Sequence, residues 1–148
     1  MPALTAIPLA VWERDGLEAA LSKAGLPVSD IRQAAPRFWR FSVAYDIPAG
    51  FGGLEIHGGD ALMRSVVTMP PLRGRGIGAA IVTALEAEAR VAKCHTIWLL
   101  TTTARPLFEK LGYAVTDRTQ APAAIRASAQ FSSLCPASAP LMMKRLDA

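Results

Sequence analysis

Apolar positions first recur at helical spacing in Leu17, Ala20, Leu21 and Ala24, which predicts a helix over Asp15–Lys23, stopped by Gly25 and Pro27. Leu4–Pro8 reads as a short strand ahead of it, and Ser29–Ala35 as a further helical turn ended by Pro36. The pattern then becomes dense in aromatic and β-branched residues through Arg37–Tyr45, Phe51–His57 and Ala61–Thr68. The last two segments are joined by the tight turn Gly58–Gly59–Asp60, so the three form an antiparallel meander. A helical period returns at Ile77, Ala80, Ile81, Ala84, Leu85 and Ala89, predicting an amphipathic helix over Gly76–Ala92. Thr96–Thr101 follows as a buried strand, Pro106–Leu111 as a helix closed by Gly112, and Ala114–Asp117 as a strand. Pro122–Gln130 reads as a helix and Leu141–Leu146 as the last strand. A meander followed by β-α-β-α-β predicts an α/β (α+β) fold, a mixed central sheet flanked by helices.

Nothing along residues 1–148 looks like a repeat or an interdomain linker, so a single domain is expected. The first residues carry no basic region ahead of an apolar stretch, and no apolar run approaches the roughly 20 residues of a membrane span. A cytoplasmic protein without membrane attachment is therefore expected. Its two cysteines, Cys94 and Cys135, are too few and too ill-spaced for a disulfide framework or a zinc site, and no metal is expected. The net charge of +4 comes from scattered basic residues that form no stripe for nucleic acid. An anionic cofactor or a carboxylate-bearing substrate explains such an excess equally well.

The strongest chemistry lies at Arg73–Gly74–Arg75–Gly76–Ile77–Gly78–Ala79, between a strand and the long helix. Its glycines permit a sharp turn and bring bare amides close to a ligand. The helix start adds unpaired N–H groups and a positive dipole end, which together suit a pyrophosphate. Ala79–Ala80 stand where a nucleotide-triphosphate loop needs Lys-Ser/Thr, and the glycine spacing is wrong for a dinucleotide fold.

The R-x-x-G-x-G pattern after Val66–Val67–Thr68 resembles motif A of the GNAT N-acetyltransferase superfamily. Leu107–Phe108–Glu109–Lys110–Leu111–Gly112–Tyr113 is similar to a second segment of that family, in the family's order. The resemblance implies acetyl-CoA as co-substrate and a sheet splayed between its fourth and fifth strands. The pantetheine arm would lie against Val66, Val67 and Thr68, near Phe108, with a backbone N–H near Val67 polarising the thioester carbonyl. The amine then attacks directly, and no enzyme nucleophile is needed. Trp98–Thr103 with Gly112–Tyr113 also resembles amino-acid N-acetyltransferases such as N-acetylglutamate synthase. Ala123–Ser128, Phe131 and Ser133–Ala139 resemble small GNAT proteins of bacterial arsenic-resistance operons. These likenesses imply a small amino-acid-like amine acceptor, an arsenical amino acid included, and a homodimer.

An ammonium acceptor must lose a proton before attack. Glu55, alternating with the apolar Leu54 and Ile56, is the first candidate base; an ordinary solvated strand carboxylate is the rival reading. His57 shares its face as a candidate substrate contact. Arg64 has two open readings, a clamp for a substrate carboxylate or a salt bridge across the sheet, and Arg126 has the same two. Many GNAT enzymes use a tyrosine where this chain has Phe108, so Ser65 or a water is left to assist the departing thiolate. Cys135 reads as a structural or substrate-lining thiol, and Tyr113 as core.

Overall fold

The computed structural model describes residues 2–31, 36–129, 131 and 138–146. Its elements are β1 (Thr5–Pro8), α1 (Asp15–Lys23), β2 (Arg37–Val43), β3 (Ile47–His57), β4 (Asp60–Thr68) and α2 (Ile77–Val91). They continue with β5 (Thr96–Leu100), α3 (Arg105–Lys110), β6 (Ala114–Thr116), α4 (Ala123–Arg126) and β7 (Leu141–Arg145). The strands form one mixed sheet in the order β1-β2-β3-β4-β5-β7-β6, in which β4 and β5 run parallel and every other pairing is antiparallel. The expected meander is β2-β3-β4, and α1 has the predicted bounds.

Three boundaries moved for local reasons. Tyr45 and Asp46 adopt left-handed backbone (φ 63° and 58°), so β2 ends at Val43 and pairing resumes already at Ile47 rather than at Phe51. The helix expected over Pro122–Gln130 spans only Ala123–Arg126, because the Ser128 hydroxyl bonds back to the Ile125 carbonyl at 2.6 Å and competes with continuation. Ser29–Ile31 is a turn; residues 32–35 of the predicted helical turn, and Gln130, lie outside the described residues.

Alternation along the strands builds two apolar faces. On one, Ile77, Ile81, Val82, Leu85 and Ala89 of α2 pack on Phe41, Leu54, Met63, Ile97, Leu99 and Met142. On the other, Leu17 and Leu21 of α1 cover Phe38, Phe51 and Val67, while Ile125 of α4 joins Leu62, Trp98 and Leu141 in a separate cluster. This second face also carries the buried Glu55 and Arg64. Gly53 is required there: a Cβ would stand 2.6 Å from the Phe38 ring.

Behind α2, the Tyr113 hydroxyl donates to Glu86 at 2.8 Å, and Lys144 donates to the same carboxylate and to the Leu111 carbonyl. Burial first, then the charge and hydrogen bond of Glu86, push the Tyr113 phenol far above its ordinary value. The unfolded chain releases this proton near pH 10 and the folded chain keeps it, so its stabilisation is complete below about pH 10 and lost above. In a Tyr45→Phe background, tyrosinate absorbance should therefore appear only together with unfolding. An alkaline titration followed in parallel by circular dichroism checks this, and tyrosinate in a still-folded protein would refute it.

Candidate active site

β4 and β5 pair only at Asp60–Thr96, Ala61–Ile97 and Leu62–Trp98, and then part. Beyond that point Met63–Thr68 and Leu99–Ala104 face each other across a cleft of about 770 Å³. Phe108 closes one side, Ala24–Ser29 form a further wall, and Arg73 stands at the turn end. The parting coincides with a β-bulge. Gly53 opposes Arg64 and Phe51 opposes Val67, so Ser65 and Val66 together face one β3 residue, with Ser65 at φ 59°. A bulge bends the strand that carries it and re-aims its side chains.

The glycine turn leaves β4 through a 3-10 turn at Pro70–Leu72 and enters α2. Gly74 (φ 80°) and Gly76 (φ 76°) are both left-handed, a conformation costly to residues with a Cβ. Gly76 is the N-cap residue and offers no side-chain cap, so the first amides of α2 have no such partner. Ile77 is buried in the core, whereas Gly74, Arg75, Gly78 and Ala79 are not fully buried. Of this turn Arg73 lines the cleft, whereas Gly74, Arg75, Gly76, Ile77, Gly78 and Ala79 are not among its lining residues; Gly78 stands next to the lining residue Thr68.

The candidate residues divide into two groups. Ser65, Val66, Val67, Thr68, Arg73 and Phe108 line the cleft. Glu55 is buried and donates nothing to it directly: Oε2 accepts from Arg64 Nη1 at 3.1 Å, and Oε1 lies 3.5 Å from His57 Nε2. Arg64 reaches the cleft lining, but its guanidinium is also bonded in bidentate fashion to Asp30. Of its two readings the geometry displays the ion pair, with a partner from the α1–β2 connection that sequence alone did not single out. Arg126 ends α4 exposed and outside the cleft lining. Cys135 lies outside the described residues. Burial, then Asp60, against an opposing effect of Arg37, raises the pKa of the Cys94 thiol, as expected for an inert core cysteine.

Burial alone would lower the Arg64 pKa; the hydrogen bonds and charges of Asp30 and Glu55 outweigh it and raise it. Arg14 is buried nearby, donating to the Ile31 and Pro36 carbonyls, and its pKa is lowered by burial and by Arg64. Both guanidiniums stack on Phe38, at 4.8 Å for Arg14 and 5.3 Å for Arg64.

Residues 37–115, just over half of the chain, match the family model described as the acetyltransferase (GNAT) domain. The chain belongs to the GNAT acetyltransferase family. Solved structures share the GNAT fold throughout. N-acetylglutamate synthase from Neisseria gonorrhoeae, complexed with coenzyme A and L-arginine, aligns over 100% of this chain with TM-score 0.79 and 12% identity. This chain spans about a third of that synthase, 34% of its length. A Mycobacterium tuberculosis protein in complex with CoA and NLQ aligns over 98% of this chain and 99% of its own, with TM-score 0.77 and 20% identity. A putative acyl-CoA N-acyltransferase from Klebsiella pneumoniae covers 97% and 98%, with TM-score 0.72 and 24% identity. No curated protein matches the sequence.

Among the described residues no His, Cys, Asp or Glu side chains group as a metal site, and no helix is long and apolar enough to cross a membrane. The buried ion cluster has a consequence for stability. Arg64→Met strands the carboxylates of Asp30 and Glu55 and should cost about 3 kcal/mol at neutral pH. Urea unfolding reads the loss; a deficit below about 1 kcal/mol would contradict the charge argument.

Proposed function

We propose that this GNAT protein transfers the acetyl group of acetyl-CoA to the amine of a small amino-acid-like acceptor, with arsenical amino acids as the detoxification substrates to test first. The carrying observation is the parting of β4 from β5 into a cleft with Arg73 of the glycine turn in its lining. The residues suit the cofactor. The Val66–Thr68 edge accepts an extended amide-bearing arm, Phe108 packs beside it, and the Gly74–Ala79 amides with Arg73 and Arg75 receive a pyrophosphate. When bound, acetyl-CoA supplies an acyl carbonyl activated as a thioester. The backbone N–H near Val67 polarises that carbonyl, and Ser65 offers a hydroxyl where a tyrosine stands in many relatives.

Glu55 takes the amine proton through a water relay, since it stands outside the cleft lining behind Arg64, whose guanidinium keeps its protons; His57 Nε2 lies 3.5 Å from the same carboxylate. The amino-acid-like acceptor is supported by the fold likeness to a synthase solved with coenzyme A and N-acetyl-glutamate. Arg126 and His57 remain candidate acceptor contacts of this reading, although neither lines the cleft. A homodimer is part of the same reading, with the exposed edge strand β6 as a contact surface.

Thiol release from acetyl-CoA against glutamate, its phosphinic and arsinic analogues, simple amines and a short peptide tests the reading. Turnover confined to the glutamate-like amines is the expected result. Acetyl-CoA binding with silence on every amine would favour a non-catalytic acyl-CoA-binding module. Glu55→Gln should lower kcat by about tenfold or more and flatten the pH–rate profile. An unchanged profile would leave Glu55 only as the partner of Arg64. Arg73→Ala should weaken acetyl-CoA binding by about tenfold in calorimetry, in line with the loss of one charge-assisted phosphate contact. An unchanged affinity would remove Arg73 from the cofactor site.

A further inference from the structure

Each of the three nitrogens of Arg64 has a partner. Nη1 and Nη2 donate to the two carboxylate oxygens of Asp30, Nη1 also donates to Glu55, and Nε donates to Ser65 Oγ at 3.1 Å. The Arg64 side chain is fully buried, and the Phe38 ring lies against the guanidinium. A planar fork gripped from two directions cannot turn Nε away from Ser65. The consequence falls on the serine. A hydroxyl has one proton and two lone pairs; with Nε–H donating to the oxygen, the serine's own proton must be given elsewhere. Ser65 sits at the bulge, half-buried in the cleft lining. Asp30 belongs to the connection after α1, is buried, and follows Ser29, the last residue of the Ala24–Ser29 wall of the same cleft.

We propose that Asp30 is a positioning residue that acts through Arg64 to hold Ser65 as a hydrogen-bond donor aimed into the cleft, tying the Ala24–Ser29 wall to that hydroxyl. The inference rests on the acetyl-transfer reading above. The donor serves an atom that gains negative charge during transfer, the departing thiolate sulfur. The sulfur accepts a hydrogen bond from Ser65, and no covalent bond to the serine forms.

The test is a double-mutant cycle on kcat, using the glutamate-like amine that the wild type turns over fastest. Asp30→Asn and Ser65→Ala should each lower kcat by about tenfold, and the double variant should fall no more than about twofold below Ser65→Ala. Acetyl-CoA affinity by calorimetry should stay within about threefold. Losses that multiply, or a wild-type kcat in Asp30→Asn, overturn the proposal, because a merely structural role would leave the two effects independent.

A second measurement needs neither turnover nor a change at Asp30, and so can overturn the proposal at the Arg64–Ser65 contact even if Asp30→Asn fails to fold. The thiol introduced by Ser65→Cys, followed by site-resolved iodoacetamide alkylation against pH, should ionise below the ordinary value of about 8.5 because Arg64 Nε donates to it. An ordinary or raised value overturns the proposal. Absence of wild-type turnover on every amine would fail the acetyl-transfer reading, whereas the alkylation profile judges the Arg64–Ser65 contact on its own.

Discussion

Backbone amides and carbonyls must find partners, and at the centre of this sheet the chain withholds them. Parallel pairing between β4 and β5 lasts three residue pairs, and past Leu62 and Trp98 the facing strand edges diverge. In an ordinary sheet such a gap would be a defect. Here it is flanked by a bulge that turns β4 aside, and Arg73, from the turn that leads into a helix start without a side-chain cap, stands in the lining. The functional reading depends on that interruption more than on any one side chain.

Beside that interruption the chain buries a cluster of charge. Arg14, Asp30, Glu55 and Arg64 are each nearly inaccessible, and desolvating four ionisable groups is expensive. The cost is offset by bidentate geometry, by carbonyl partners for Arg14 and by the Phe38 ring under both guanidiniums. An apolar cluster there would pack at lower electrostatic cost, but it would not bind the α1–β2 connection to β4 in a single geometry. Directional partners fix an orientation that non-directional burial leaves loose.

Much of this was legible in the sequence because it is written in local periodicities. The α1 stripe of Leu17, Ala20 and Leu21, the α2 stripe and the alternation of β3 and β4 are short-range signals, and they gave the element order and the meander. The glycine turn was legible because left-handed backbone at Gly74 and Gly76 demands that residue type. Asp30 was not legible: its partner Arg64 lies 34 positions away, and nothing in the intervening sequence fixes which loop carboxylate reaches which strand arginine. The early end of β2 was hidden for a related reason, since Tyr45 and Asp46 take a left-handed conformation that their residue types do not advertise. Glu55 illustrates a subtler limit. Alternation correctly turned it away from Leu54, but could not tell whether that face held solvent, a cleft or another charge.

The sheet is thus two unequal leaves, four strands in one and three in the other, sewn together by a short seam. Along one side, α2 lies as a spine, its side chains packed on Leu54 and Met63 from the larger leaf and on Ile97, Leu99 and Met142 from the smaller. The helix that follows the glycine turn therefore holds both leaves in one core. Ile81 and Leu85 belong to the core that the two leaves share, so the spacing of the cleft walls rests on packing among residues that do not line it.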